Sequence, residues 1–137
     1  MKKPRQPRYA DIFRPNDEDN GEAEAKRAKA SEVWHDTIDW LTENGLLNSR
    51  RVDIADRYAR AYAEYSVIYP VAASEGPVTK GPNGGDVFNF KWSAVEKLQD
   101  RMAKFEDALL ISPKAAQDKI SGSKPATKKT AADEYLG

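Results

Sequence analysis

The chain has 137 residues with 22 basic and 22 acidic side chains, a formal net charge of zero, which gives room for one domain and not comfortably two and excludes a strongly basic monomeric DNA binder. It has no cysteine and a single histidine, His35, so disulfides, thiolate zinc sites and cysteine nucleophiles are excluded and no zinc site is expected. No apolar run reaches the length of a membrane span, and no apolar segment follows the basic N-terminus, so neither a spanning helix nor a secretory signal is expected.

Residues 1–27 read as a disordered arm in two halves. Lys2, Lys3, Arg5, Arg8 and Arg14 stand against Asp11 alone, and Pro4, Pro7 and Pro15 oppose regular structure. The sign then reverses over Asp17, Glu18, Asp19, Glu22 and Glu24. Asn16, Glu18, Asn20 and Gly21 sit at calcium-loop positions, but Arg27 falls where the bidentate glutamate is required, so the run is no calcium site.

Residues 28–121 read as the folded, mainly helical and oligomerising part: a helical hairpin, a short β-hairpin or loop insertion, and two further helices. The first helix is expected from about Ala28 to Asn44. Ala30, Val33, Trp34, Thr37, Ile38 and Leu41 recur on one helical face, and Gly45 supplies the left-handed residue that ends it. Asn48-Ser49 offers a cap for a second helix from about Arg50. There Ala55, Tyr58, Tyr62, Tyr65, Tyr69 and Ala72 are spaced 3-4-3-4-3, a heptad seam with four tyrosines on it. Pro70 predicts a kink or break near Tyr69. Asp53–Arg57, Asp56–Arg60 and Arg60–Glu64 are i,i+4 pairs, so this polar side reads as a solvated face rather than a DNA surface. Tyrosine is costly in a dry core and enriched at interfaces, so Tyr58, Tyr62, Tyr65 and Tyr69 are read as facing another subunit.

Gly76 to Phe90 carries the insertion. Asn83-Gly84 predicts a hairpin turn and Val87-Phe88 a strand. The Gly-Lys-Ser/Thr ending of a phosphate loop is absent. The third helix is expected over Lys91–Leu109, with Val95, Leu98, Met102, Phe105 and Leu109 as its stripe and Ser93 with Glu96 at capping-box spacing. Ser112-Pro113 predicts a last short helix to about Ile120. Residues 122–137 read as a flexible tail bearing Lys124, Lys128 and Lys129.

Catalysis finds little support. His35 has no nucleophile partner, and the acids lie in the arm or are paired on helix faces, not clustered for metal ions. No cofactor is expected.

The order of these pieces resembles the small terminase subunits of tailed double-stranded-DNA phages, in the family with a helical pair, a glycine-rich link and a closing Leu-x-Ser/Thr-Pro helix. Arg51 to Tyr65 looks like its aspartate-led, alanine- and tyrosine-rich helix. Gly76-Pro77-Val78 with Gly81 to Gly85 looks like its glycine-rich link, and Leu110-Ile111-Ser112-Pro113-Lys114-Ala115-Ala116 like its C-terminal motif. The resemblance covers about residues 30–120. The chain departs from the pattern at Asn89-Phe90, where the family often has Asn-Pro, and at Leu109-Leu110, where it often has glycine. It departs again at Gln117 or Lys119, in place of an arginine.

The resemblance implies a non-enzymatic protein that assembles as a ring in the host bacterial cytoplasm. Its partners would be double-stranded viral DNA and the large terminase subunit, which holds the ATPase and nuclease; no membrane is implied. Candidate DNA contacts are Lys2, Lys3, Arg5 and Arg8 in the arm, Arg50 and Arg51 at the second-helix start, and Lys124, Lys128 and Lys129 in the tail. Arg50 and Arg51 flank an inter-helix turn at a helix N-terminus, where backbone amides favour phosphate. Asp133-Glu134-Tyr135-Leu136 reads as a docking peptide for the large subunit. Two other classes stay open: a dimeric helical DNA-binding regulator and a virion adaptor protein.

Overall fold

The computed structural model describes residues 2–111. In chain order these form a helical turn α1 (Tyr9–Ile12), helices α2 (Glu22–Glu43) and α3 (Ser49–Glu75), strands β1 (Val78–Lys80) and β2 (Asp86–Phe88), and helix α4 (Phe90–Ala108). This is the mainly helical architecture with one small β-hairpin that the sequence predicts. The expected helix over Ser112–Ile120 and the lysine-bearing tail lie outside the described residues.

Helix α3 is the central element, with α2 and α4 both packed against it. Cross-links fix both pairings as antiparallel. Lys26 of α2 reaches Glu64 at 3.0 Å. On the other side Tyr58 donates to Glu106 at 2.8 Å, and Lys91 meets Glu75 at 2.7 Å. Thus α2 covers the first part of α3, α4 covers the rest, and the two overlap near its middle.

The predicted stripes form the core. Trp34, Ile38 and Leu41 from α2 are fully buried, as are Val95 and Leu109 from the α4 stripe. Each such side chain contributes about 1.5–3 kcal/mol by leaving water. Gly45, at φ 66°, ends α2 as expected. The Leu46 N–H then bonds back to the Leu41 carbonyl at 2.8 Å, satisfying an orphan acceptor of the last turn. Asn48 caps α3, its side chain accepting from the Arg51 amide at 2.8 Å.

Four details differ from the expectations. Helix α2 starts at Glu22, six residues early, because Glu22 to Ala30 is built almost wholly of strong helix formers. Asp19 supports that start by accepting from the Ala23 amide at 2.9 Å. Of the kink or break expected near Tyr69, the break does not occur: helix α3 continues through Pro70 to Glu75. Packing of Ala72 and the Tyr69–Trp92 ring contact against α4 hold a segment whose missing donor would otherwise end it. The hairpin turn centres on Pro82-Asn83, not Asn83-Gly84: the Gly84 amide bonds to the Gly81 carbonyl at 3.0 Å and Gly81 to Gly85 at 2.8 Å. Pro82 presets the first turn position, and Gly84 takes the left-handed one at φ 81°. Lastly, α4 is capped by Asn89, which accepts from the Lys91 amide at 3.0 Å, rather than by Ser93.

The segment read as a disordered arm also differs over its first half. Residues 3–13 run antiparallel along α2, and Tyr9 and Phe13 join the core cluster. Two buried aromatic rings offset the ordering of a short charged strap, which a charge reading alone overlooks.

Candidate nucleic-acid interface

The strap sets where the basic groups of the N-terminus stand. Ser31 donates to Gln6 at 2.7 Å, and the Tyr9 hydroxyl donates to Asp56 at 3.1 Å. The Arg27 Nε donates to the Phe13 carbonyl at 2.7 Å, which occupies the residue that ruled out a calcium loop. Burial, followed by the charge and hydrogen bonding of Asp56, pushes the Tyr9 hydroxyl far above the usual phenol range.

Along this strap Lys2 and Arg5 are exposed. Lys3 pairs with Asp39 at 2.9 Å, both partners being more than half exposed. Arg8 reaches Asp11 at 3.2 Å with its side chain almost fully in water. Such exposed pairs are worth about 0–1 kcal/mol and exchange readily with a competing anion.

At the α2–α3 turn the two candidate arginines separate. Arg50 is exposed. Arg51 is half-buried and donates from its guanidinium to the Leu46 carbonyl at 2.9 Å, bracing the turn. Lys124, Lys128 and Lys129, and the Asp133–Leu136 peptide, lie outside the described residues. Lys3 meets α2 at Asp39, near its C-terminal end, and Arg50 lies in the first turn of α3.

The structure adds a cluster that the sequence reading set aside. Arg57 and Arg60 of α3 and Arg101 of α4 line one groove with Leu98 and Phe105. Arg57 is answered by Asp53 at 3.0 Å and Arg60 by Asp56 at 2.8 Å, as the i,i+4 spacing predicts. Glu64, expected on Arg60, pairs with Lys26 instead. Arg101 arrives from another element, so only its place beside the α4 stripe, three residues after Leu98, could have signalled it.

The tyrosine seam is shared between core and surface. Tyr58 is buried, and burial together with Glu106 pushes its hydroxyl well above the usual range. Tyr62 and Tyr65 are half-buried, and Tyr65 accepts from Gln99 at 3.3 Å. The rings run in series, Tyr58 to Tyr62 to Tyr65 to Tyr69, with centroids 5.3–6.4 Å apart. Tyr69 stands 40% exposed. Glutamate on Tyr58 and glutamine on Tyr65 answer two of the four hydroxyls within the subunit.

No helix among the described residues is long and apolar enough to cross a membrane, and no group of metal-ligating side chains gathers there. The fold defines a small helical protein, a three-helix unit tipped by a β-ribbon, with basic groups on a strap and at an inter-helix turn. Residues 30–125 match the family model described as phage terminase, small subunit, and the chain belongs to that family. The match spans the alanine- and tyrosine-rich helix, the glycine-rich link and the Leu110–Ala116 motif, and it gives the protein a role in phage DNA packaging. No curated protein and no solved structure matches the chain.

Proposed function

We propose that this protein assembles as a ring that binds double-stranded viral DNA and recruits or regulates the large terminase subunit, in the cytoplasm of the infected bacterium. Membership of the small-subunit family carries this reading. The protein supplies no catalytic step of its own; its work is binding. Zero net charge per chain suits a ring, because weak basic contacts repeated around it gain avidity. Lys2, Lys3, Arg5, Arg8 and Arg50 are the described contacts offered to phosphate, with Lys124, Lys128 and Lys129 beyond them. Arg51 acts mainly by holding the turn. In the tyrosine seam Tyr69 is the member offered to a neighbour. The Asp133–Leu136 peptide is the offered contact for the large subunit.

The test is a DNA-binding titration of the full chain over a salt series, beside its mass in solution. Each neutralised phosphate contributes about −0.9 to the slope of log affinity against log salt. A multi-subunit mass with a steep slope supports the reading, and replacing Lys124, Lys128 and Lys129 by alanine should flatten it. A single-chain mass with no DNA retained at low salt would overturn it.

A further inference from the structure

Among the described residues seven large hydrophobic side chains are exposed, and six share one end of the molecule. Tyr69 and Val71 lie near the end of α3, Val78, Val87 and Phe88 on the ribbon, and Phe90 at the start of α4. Phe90 is 84% exposed. That end is one locality: Asn89 donates to the Gly76 carbonyl and to Glu75, Lys91 meets Glu75, and Tyr69 contacts Trp92.

The exposure has a structural cause. Only α3 and α4 reach this end, and two helices bury one seam, here Ala72 and Val95. Every ribbon strand residue is exposed. At about 150–250 Å² per aromatic side chain, the three aromatics alone leave roughly 300–400 Å² in water. That is the size of the largest apolar patch on many monomers, which is often a functional one, and about half of one partner's share in a standard interface.

The chemistry of this end selects its occupant. Its paired charges balance, Lys80 against Asp86 at 2.6 Å and Lys91 against Glu75 at 2.7 Å, so unlike the strap, where Lys2 and Arg5 stand beyond the pairs, these four groups carry no net positive charge to draw a phosphate backbone. The ribbon is, in contrast, complementary to itself. Asn89 bonds to Pro77 and Gly81 to Gly85, so Thr79 and Val87 form the inward-bonded pair between them. The backbone groups of Val78 and Lys80 therefore point out along one edge, and those of Asp86 and Phe88 along the other. Placing the β2 edge of one copy on the β1 edge of the next continues the antiparallel order. It sets Asp86 opposite the next Lys80 and Phe88 opposite the next Val78, repeating the pairs made within the chain. Each copy uses both edges, so the contact propagates head to tail rather than stopping at two, and forms a ring where the rotation between copies closes.

We propose that the ribbon end is the surface by which successive copies of this chain join, edge to edge, with Phe88 and Phe90 covered between them. This rests on the oligomeric reading above and locates its joint. The test pairs the solution mass of the full chain and of a Phe88→Ser/Phe90→Ser variant with amide hydrogen exchange of the unaltered assembly. The expected result is a heavy native protein, and a variant that keeps its helical circular dichroism but falls to the 15.3 kDa of one chain. The outward amides of Val78, Lys80, Asp86 and Phe88 should be protected in the assembly and lose that protection on dilution to single chains. A folded variant of unchanged mass would overturn the joint and leave the ring standing. Fast exchange of those amides in the intact assembly would do the same, even if the variant failed to fold. Unchanged mass with loss of large-subunit capture would hand the surface to that partner. A native protein that stays a single chain at every concentration would overturn ring and joint together.

Discussion

Tyr58 and Tyr9 are each held by a carboxylate from another element, Glu106 and Asp56, so their hydroxyls act as staples. Tyr58→Phe should lower unfolding stability by about 1 kcal/mol; an unchanged urea midpoint would show that the Glu106 contact contributes nothing. Both phenols are raised above the ordinary value of about 10, first by burial and then by the adjacent carboxylate. A raised folded value favours the neutral phenol, so this stability is complete below pH 10 and is lost as pH climbs past it. Unfolding midpoints should be flat up to about pH 10 and fall above it, with Tyr9 and Tyr58 ionising only as the chain opens. Glu75 works in the opposite sense. The Lys91 hydrogen bond holds its carboxyl below the usual range despite some opposing desolvation, with Asn89 assisting, so its contribution is present at neutral pH and lost in acid. Trp92 is a different case, because its buried indole N–H finds no acceptor among the described residues. Trp92→Phe should therefore cost less than a buried aromatic exchange usually does, and a thermal melt would show it.

At the level of elements, the continuity of α3 through Pro70 is the least local feature. The ring removes the donor for the Ser66 carbonyl, and α4 holds the turn together regardless. Pro70→Ala should restore that bond and stabilise the chain by about 1–3 kcal/mol; a lower denaturation midpoint would mean that the proline shapes the seam with α4. The helices themselves were legible because each buries one line of its surface, and a line of apolar residues at 3-4 spacing is written locally. Trp34, Ile38, Val95 and Leu109 could be placed that way, as could the Gly45 and Asn48 boundaries. The strap was not legible, since Tyr9 and Phe13 are two isolated aromatics whose burial depends on a groove made by distant residues. The Asn89 cap was hidden for a similar reason: its side chain answers Glu75 and Gly76 across the ribbon. Of the candidate site, the basic positions could be read from the sequence. Their engagement could not, because Asp39 meets Lys3 and Leu46 meets Arg51 only once the chain has folded.

For the whole molecule, the strap places basic groups against an acidic helix, so intramolecular and external anions compete for them. Glu32, Asp36, Asp39 and Glu43 fall at helical spacing along α2, and Asp39 already holds Lys3. Asp39→Ala should free Lys3 and raise DNA affinity by up to about fivefold at low salt, the equivalent of an exposed pair of about 1 kcal/mol. Unchanged affinity would take Lys3 off the list of contacts. A last consequence concerns α3 as a rod. Its 27 residues span about 40 Å at 1.5 Å per residue, with the arginine turn at its head and the ribbon just beyond its foot. A stiff rod pivoting about its middle swings its two ends in opposite senses, and a tilt of about 5° moves each by roughly 2 Å. A tilt imposed at the turn would then reach the ribbon as a displacement smaller than the roughly 4.8 Å spacing of neighbouring strands.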